Sequence, residues 1–264
     1  MFGAYKSWRR RRVLRNARLD AELWERVSRR FGFVLRLTPE ERQRLRDLVV
    51  LFVHEKQISA AGDHELTEEM RLGIAIQACI LILNLGIDSY DGWVEIIVYP
   101  DEFAPRHEFR NEDGLVETDE TSYAGQAWLQ GPVILSWADV EYAWEGDGAN
   151  VVIHEFAHKL DMLSGSANGF PPLHAGMSRQ AWAKAFTEAY EDFCRRVDAG
   201  QETDIDPYAA EAPGEFFAVL SEAFFEIPEV VKEIYPDVYR QLSLFYRQDP
   251  AARELPREWR LRRA

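Results

Sequence analysis

The chain has 264 residues, 47% of them hydrophobic and 12% aromatic, enough for a full core in one large domain or in one domain with an appended layer. With 29% charged residues and no low-complexity tract, the composition excludes a disordered chain. The two cysteines, Cys79 and Cys194, stand far apart inside apolar helical patterns, which excludes a disulfide framework or a CxxC zinc site and predicts free buried thiols in a reducing compartment.

The net charge of −14 is unevenly spread. Residues 1–46 hold 14 Lys+Arg against 5 Asp+Glu, and the remainder 17 against 40. A basic arm on an acidic body suits contact with nucleic acid, anionic lipid or an acidic protein, or else a solvated helix resting on its own body. No interleaved aromatics or DNA-reading motif favour the first, so no direct nucleic-acid partner is expected. The N-terminus lacks the apolar h-region of a signal peptide. The most apolar window, "IAIQACILILNLG", is interrupted by Gln77 and Asn84 and is the length of a buried helix, not of a membrane span. The expected location is the cytoplasm, away from the membrane.

In chain order, the first third is predicted helical. Thr38, Pro39 and Glu41 open "LTPEERQRLRDLVVLFVHEKQ" as a capping box, after which Leu45, Leu48, Val49, Phe52 and Val53 recur at helical spacing. Thr67 caps a second such segment, which Gly86 stops. The texture changes near Asp91. "GWVEIIVYP" and "GPVILSW" are short β-rich runs bounded by Gly and Pro, and the acidic "RNEDGLVETDET" between them is expected to be a hairpin or loop. From Trp137 the pattern is helical again, over 151–162, 178–197 and 213–225, with a last pair ending near Tyr246. The predicted fold is α+β, mostly helical with a small mixed sheet: an N-terminal helical part, 1–90, packed on a catalytic part, 91–264, as one compact unit.

Four of the six histidines are followed directly by glutamate, but only His154 also has a histidine four residues on. In the helix predicted for "ANVVIHEFAHKLDML", His154 and His158 project from one face a turn apart, so both imidazoles can bind one tetrahedral zinc. Glu155 points beside that ion, which suits a general base; zinc lowers the pKa of a bound water towards about 7 and polarises a carbonyl. Val151, Val152, Ile153, Phe156, Ala157 and Leu160 make the helix a buried one, where two histidines need a reason to be. A catalytic zinc takes a third protein ligand. His174 does not stand at the metzincin spacing, and Asp161 is too far along the axis, better placed as an acceptor behind the ligands or as an anchor of the helix end. Glutamates of "YAAEAPGEFFAVLSEAFFE" remain, and spacing alone leaves Glu215 and Glu222 as alternatives, with Glu211 before them.

The stretch "HEFAHKLD", followed by "DPYAAEAPGEFFAVLSEAFFE", resembles the Mlc titration factor A family of cytosolic zinc peptidases, whose catalytic part is similar to the catalytic domain of anthrax lethal factor. The resemblance extends to "GPVILSW" and "FYRQDP". It implies a zincin-like fold, one zinc per chain, Glu215 as the third ligand, Glu222 as a supporting carboxylate, and Tyr208 as the donor to the oxyanion. It also implies peptidase activity of an aminopeptidase kind on a peptide or protein substrate, and association with a Mlc-type transcriptional repressor. The alternative is a non-catalytic module that sequesters a transcription regulator, against which Glu155 argues, because a structural zinc site needs no base. The strand in "QGPVILSW" is either an edge that pairs with an extended substrate or a central core strand.

Overall fold

The structure is a computed structural model describing residues 2–62, 65–100, 131–142, 148–256 and 259. The acidic stretch 110–121 lies outside the described residues.

Helix α1 (Phe2–Asn16) carries no acidic residue in its first turn and packs on α4 (Pro39–Glu55). Its Lys6 reaches Asp88 and Asp91 at 2.7 and 2.5 Å, and Arg10 grips Glu55 through Nε at 2.7 Å and Nη2 at 3.0 Å. One face of the basic arm therefore rests on the acidic body. Short helices α2 (Ala21–Ser28) and α3 (Gly32–Leu35) follow. The start of α4 is the capping box expected: the Glu41 amide donates to Thr38 Oγ1 at 3.3 Å and the Thr38 amide to Glu41 Oε2 at 2.9 Å. Thr67 caps α5 (Glu68–Leu81) in the same way through the Met70 amide.

The described sheet has three strands, β1 (Gln57–Ala60), β2 (Glu95–Tyr99) and β3 (Val133–Ser136), in that order and all parallel. Ile58 pairs with Ile96, and Ile96 with Val133, so Ile58, Ile96, Val98, Val133 and Leu135 cover one face of the core. Among the described residues β3 is an edge, with β2 on one side alone. Ser136 Oγ accepts from the Asp139 amide and opens α6 (Trp137–Tyr142).

Helix α7 (Val151–Asp161) carries both motif histidines. It is followed by α8 (Arg179–Asp198), α9 (Pro213–Glu226), α10 (Pro228–Ile234) and α11 (Pro236–Tyr246). Phe156 anchors the back of α7 among Phe52, Tyr90 and Trp93, with ring centroids 5.7, 5.1 and 5.6 Å away. On the other side, Phe217 of α9 packs against Trp182 of α8 and Phe245 of α11. One hydrophobic cluster runs from Trp24 to Tyr246. Its seam, where α7 and α9 lie against each other, is where the polar side chains gather. Cys79 is buried and Cys194 half-buried, both free, and among the described residues no helix is long and apolar enough to cross a membrane.

Candidate metal centre

Asn150, wholly buried, caps α7: its Oδ1 accepts from the Ile153 amide at 3.0 Å. Its backbone N–H donates to Glu222 and its Nδ2 to Glu226 Oε1 at 2.8 Å, so two carboxylates one turn apart on α9 hold the first turn of α7. The sequence reading passed over Asn150. An Asn placed directly before an apolar helical run is an N-cap signal and could have revealed it.

Within this frame His154, His158 and Glu215 converge. His154 Nε2 lies 3.1 Å from His158 Nε2 and 3.0 Å from Glu215 Oε2, and His158 Nε2 lies 3.3 Å from the same oxygen. Bonds of ~2.0–2.1 Å at tetrahedral angles separate zinc ligands by about 3.3 Å, so this triangle has the size of a zinc site. His154 Nδ1 stands 2.7 Å from Glu222 Oε1. A carboxylate there accepts a hydrogen bond from Nδ1–H and leaves the Nε2 lone pair facing the centre of the triangle, the tautomer a metal-binding imidazole needs. Both histidines are nearly inaccessible to solvent.

The electrostatics agree with a cation site. Burial works to lower the His154 pKa, but the hydrogen bonds with Glu215 and Glu222 outweigh it and raise the ring to about 10. Burial pushes the Glu215 carboxyl up, yet His154 and His158 hold it well below the usual carboxylate range. Two carboxylates facing two buried imidazoles favour positive charge between them, which a divalent ion could supply. The donor set, two imidazoles and a carboxylate, suits zinc.

Glu155 is half-buried and lines, with His154, Asn150 and Glu222, a cleft of about 390 Å³. Val219, Ala223 and Ile227 make its apolar wall, and Asp139, Asp204 and Asp206 its acidic rim. Tyr208 sits on a short turn, Pro207–Ala210, whose first amide group to bond is its own, donating to Asp206 Oδ1 at 2.9 Å. Its ring centroid is 6.1 Å from that of His154. The remaining candidates are elsewhere. His174 Nε2 bonds the Phe245 carbonyl at 2.8 Å, and Glu211 is exposed. Asp161 anchors the end of α7, accepting from the Gly169 amide at 2.6 Å. A lysine the sequence reading did not single out, Lys159, is buried and donates to the Gly131 carbonyl at 2.9 Å, tying α7 to the approach to β3.

The chain matches the family of glucose-regulated metallo-peptidases M90 over residues 5–247. It belongs to that family. Among similar proteins is Mlc titration factor A of Pectobacterium atrosepticum, 40% identical over 222 residues, covering 82% of this chain and 83% of the relative. Mlc titration factor A of Serratia proteamaculans is 39% identical over 220 residues, 82% and 84% of the two chains. An uncharacterised protein of Synechocystis is 38% identical over 225 residues, 84% and 82% of the two. Membership of the M90 family implies a metal ion, and among the described residues His154, His158 and Glu215 form a group able to hold one, their ligand atoms all within 4.8 Å of one another.

Proposed function

We propose that this M90 member is a zinc-dependent peptidase in which His154, His158 and Glu215 hold one zinc, Glu155 is the general base and Tyr208 the oxyanion donor. The observation that carries the reading is the triangle of ligand atoms, 3.0 to 3.3 Å on a side, with Glu155 beside it at the cleft.

Zinc, when bound, supplies a Lewis acid that acidifies water and polarises a carbonyl. Glu155 takes a proton from the attacking water at its carboxylate and passes it to the amine that leaves. The Tyr208 hydroxyl donates a hydrogen bond to the oxygen that gains charge as the carbonyl is attacked. Among the described residues β3 has a neighbour on one side alone, which supports pairing of an extended peptide with its other side. The acidic rim of Asp139, Asp204 and Asp206, with no Lys or Arg among the described lining residues, supports an aminopeptidase-like preference, since a free α-ammonium complements it. The relatives' name, Mlc titration factor A, supports a Mlc-type transcriptional repressor as a partner, and a cytoplasmic location would bring the two together.

The test is Glu155→Gln measured beside wild type for zinc content and turnover of a peptide library. Gln matches Glu in shape but cannot accept the proton, so the variant keeps one zinc per chain and loses about 100- to 10,000-fold in turnover. Equal turnover by the zinc-loaded variant overturns the assignment. A wild type that binds a Mlc-type repressor tightly while cleaving no peptide would leave the sequestering module as the function.

A further inference from the structure

Asp161 ends α7 one turn after His158, and its side chain is wholly buried. Its Oδ2 accepts from the Gly169 amide at 2.6 Å, while inside the same loop the Phe170 amide donates to Asn168 Oδ1 at 3.0 Å. One buried carboxylate thus ties the end of α7 to the loop that follows it. Ser164 fastens the same loop from inside, its Oγ within 3.1 Å of the Asp161 carbonyl and 2.8 Å of the Phe170 carbonyl. The Gly169 carbonyl in turn accepts from Trp182 Nε1 at 3.0 Å.

The loop so held lies directly on the first turn of α9. A Cβ at Gly169, whose φ is +77°, would come 2.5 Å from the Pro213 carbonyl oxygen. A Cβ at Gly214 would come 2.7 Å from the Ala167 carbonyl oxygen. Two glycines from different segments therefore let two backbones touch, and the contact falls on the residues immediately before Glu215. The N-cap of α9, Ala212, has no side-chain cap. No capping side chain fixes the start of α9, which opens on Pro213 with the loop of Asp161 packed against its backbone.

We infer that Asp161 is a positioning residue for the metal centre: it holds loop 167–170 against Pro213 and Gly214 and thereby sets Glu215 opposite His154 and His158. The inference rests on the zinc-peptidase reading above. It makes Asp161 the link through which the end of the histidine helix registers the start of the glutamate helix, a span that neither helix governs alone.

The test is a double-mutant cycle in the full chain, reading zinc affinity by competition with a chromophoric chelator. Asp161→Ala is expected to weaken zinc binding about 10- to 100-fold, the usual effect of removing a group that supports a ligand. Because Asp161 acts through Glu215, Asp161→Ala combined with Glu215→Ala binds zinc no more weakly than Glu215→Ala alone, to within about two-fold, whereas independent effects would multiply. Asp161→Asn, which keeps an oxygen for the Gly169 amide, restores most of the affinity. The cobalt-substituted Asp161→Ala protein shows an altered ligand-field spectrum. If Asp161→Ala does not fold, Gly214→Ala takes its place in the cycle, pressing on the same contact from the α9 side, with the same expectation. Wild-type affinity in the single variant, or losses that multiply in the double one, would overturn the inference while leaving the zinc site standing. A wild type that takes up no zinc would instead remove the peptidase reading, and the inference with it.

Discussion

Glu222 Oε1 lies 2.7 Å from His154 Nδ1, while its other oxygen accepts the backbone N–H of Asn150 at the start of the same helix. One carboxylate therefore orients the ring of a candidate ligand and caps the helix that carries it.

Glu215 and Glu222 consequently differ in what their loss does. Glu215→Ala removes a ligand, whereas Glu222→Ala removes the support of one and is expected to cost about 10- to 100-fold in zinc affinity, less than Glu215→Ala. Glu222→Ala also leaves two buried donors without their acceptor, at ~1–3 kcal/mol each. Chelator competition and urea denaturation on both variants check this. Metal release by Glu222→Ala with retention by Glu215→Ala would reverse the two roles.

Tyr208 holds its turn through its backbone amide, which donates to Asp206 Oδ1, and its ring centroid stands 6.1 Å from that of His154. Tyr208→Phe is therefore expected to keep zinc content and melting temperature while kcat falls about 100- to 1000-fold, the cost of one oxyanion donor. Steady-state kinetics on a peptide substrate settle it, since an unchanged kcat returns the ring to a packing role.

Lys56 gives a pH signature remote from the metal centre. Its ammonium is buried over the Trp93 ring, 3.7 Å from the centroid, and donates to the Tyr90 and Trp93 carbonyls. Burial lowers its pKa from 10.5 to about 8, against the pull of Asp91 and Glu55. A lysine depressed in the folded state means that the unfolded chain binds more protons between those two values, so its contribution to stability grows as pH rises from about 8 to 10.5. The difference in unfolding free energy between wild type and Lys56→Met should rise across that window and level off above it. A difference flat in pH contradicts the burial of a charged ammonium there.

Phe156 offers a test of the fold behind the site. Its ring is fully buried among Phe52, Tyr90 and Trp93, so Phe156→Ala opens a cavity at the back of α7. The expected loss is ~3–5 kcal/mol. Denaturant titration of the zinc-loaded protein measures it, and a loss under 1 kcal/mol, about one methylene's worth, would mean that α7 is not anchored through this ring.

The motif helix was legible because everything it needs is local. A four-residue spacing puts His154 and His158 on one face, and the apolar run around them declares a buried helix. The choice between Glu215 and Glu222 was not legible from spacing, because they stand two turns apart on one face of α9 and both reach His154, one at each ring nitrogen. What separates them is the height at which α9 crosses α7, a property of long-range packing to which the Gly169 and Gly214 contacts contribute. The resemblance to a known family supplied the distinction that periodicity could not. Strand β1 was missed because four residues with one buried side chain carry almost no alternation. The sheet was expected to be mixed; the three described strands run parallel, a matter of connections that the strand sequences themselves do not encode. Whether β3 is an edge or a central strand depends on its neighbours, not on its own residues, and among the described residues it has one.

The separation of the ligands along the chain has a consequence for how the protein is made. Glu215 follows His154 by 61 residues, and the carboxylates that steady Asn150 follow it by 72 and 76. At synthesis rates of about 5–20 residues per second, the histidine helix waits on the order of several seconds for the third residue of the candidate site and for the cap partners that hold its first turn. During that interval the candidate site offers two imidazoles without its carboxylate. Completion of the candidate site is thus a late event in the life of the nascent chain, and a polypeptide stalled before α9 carries only its histidines.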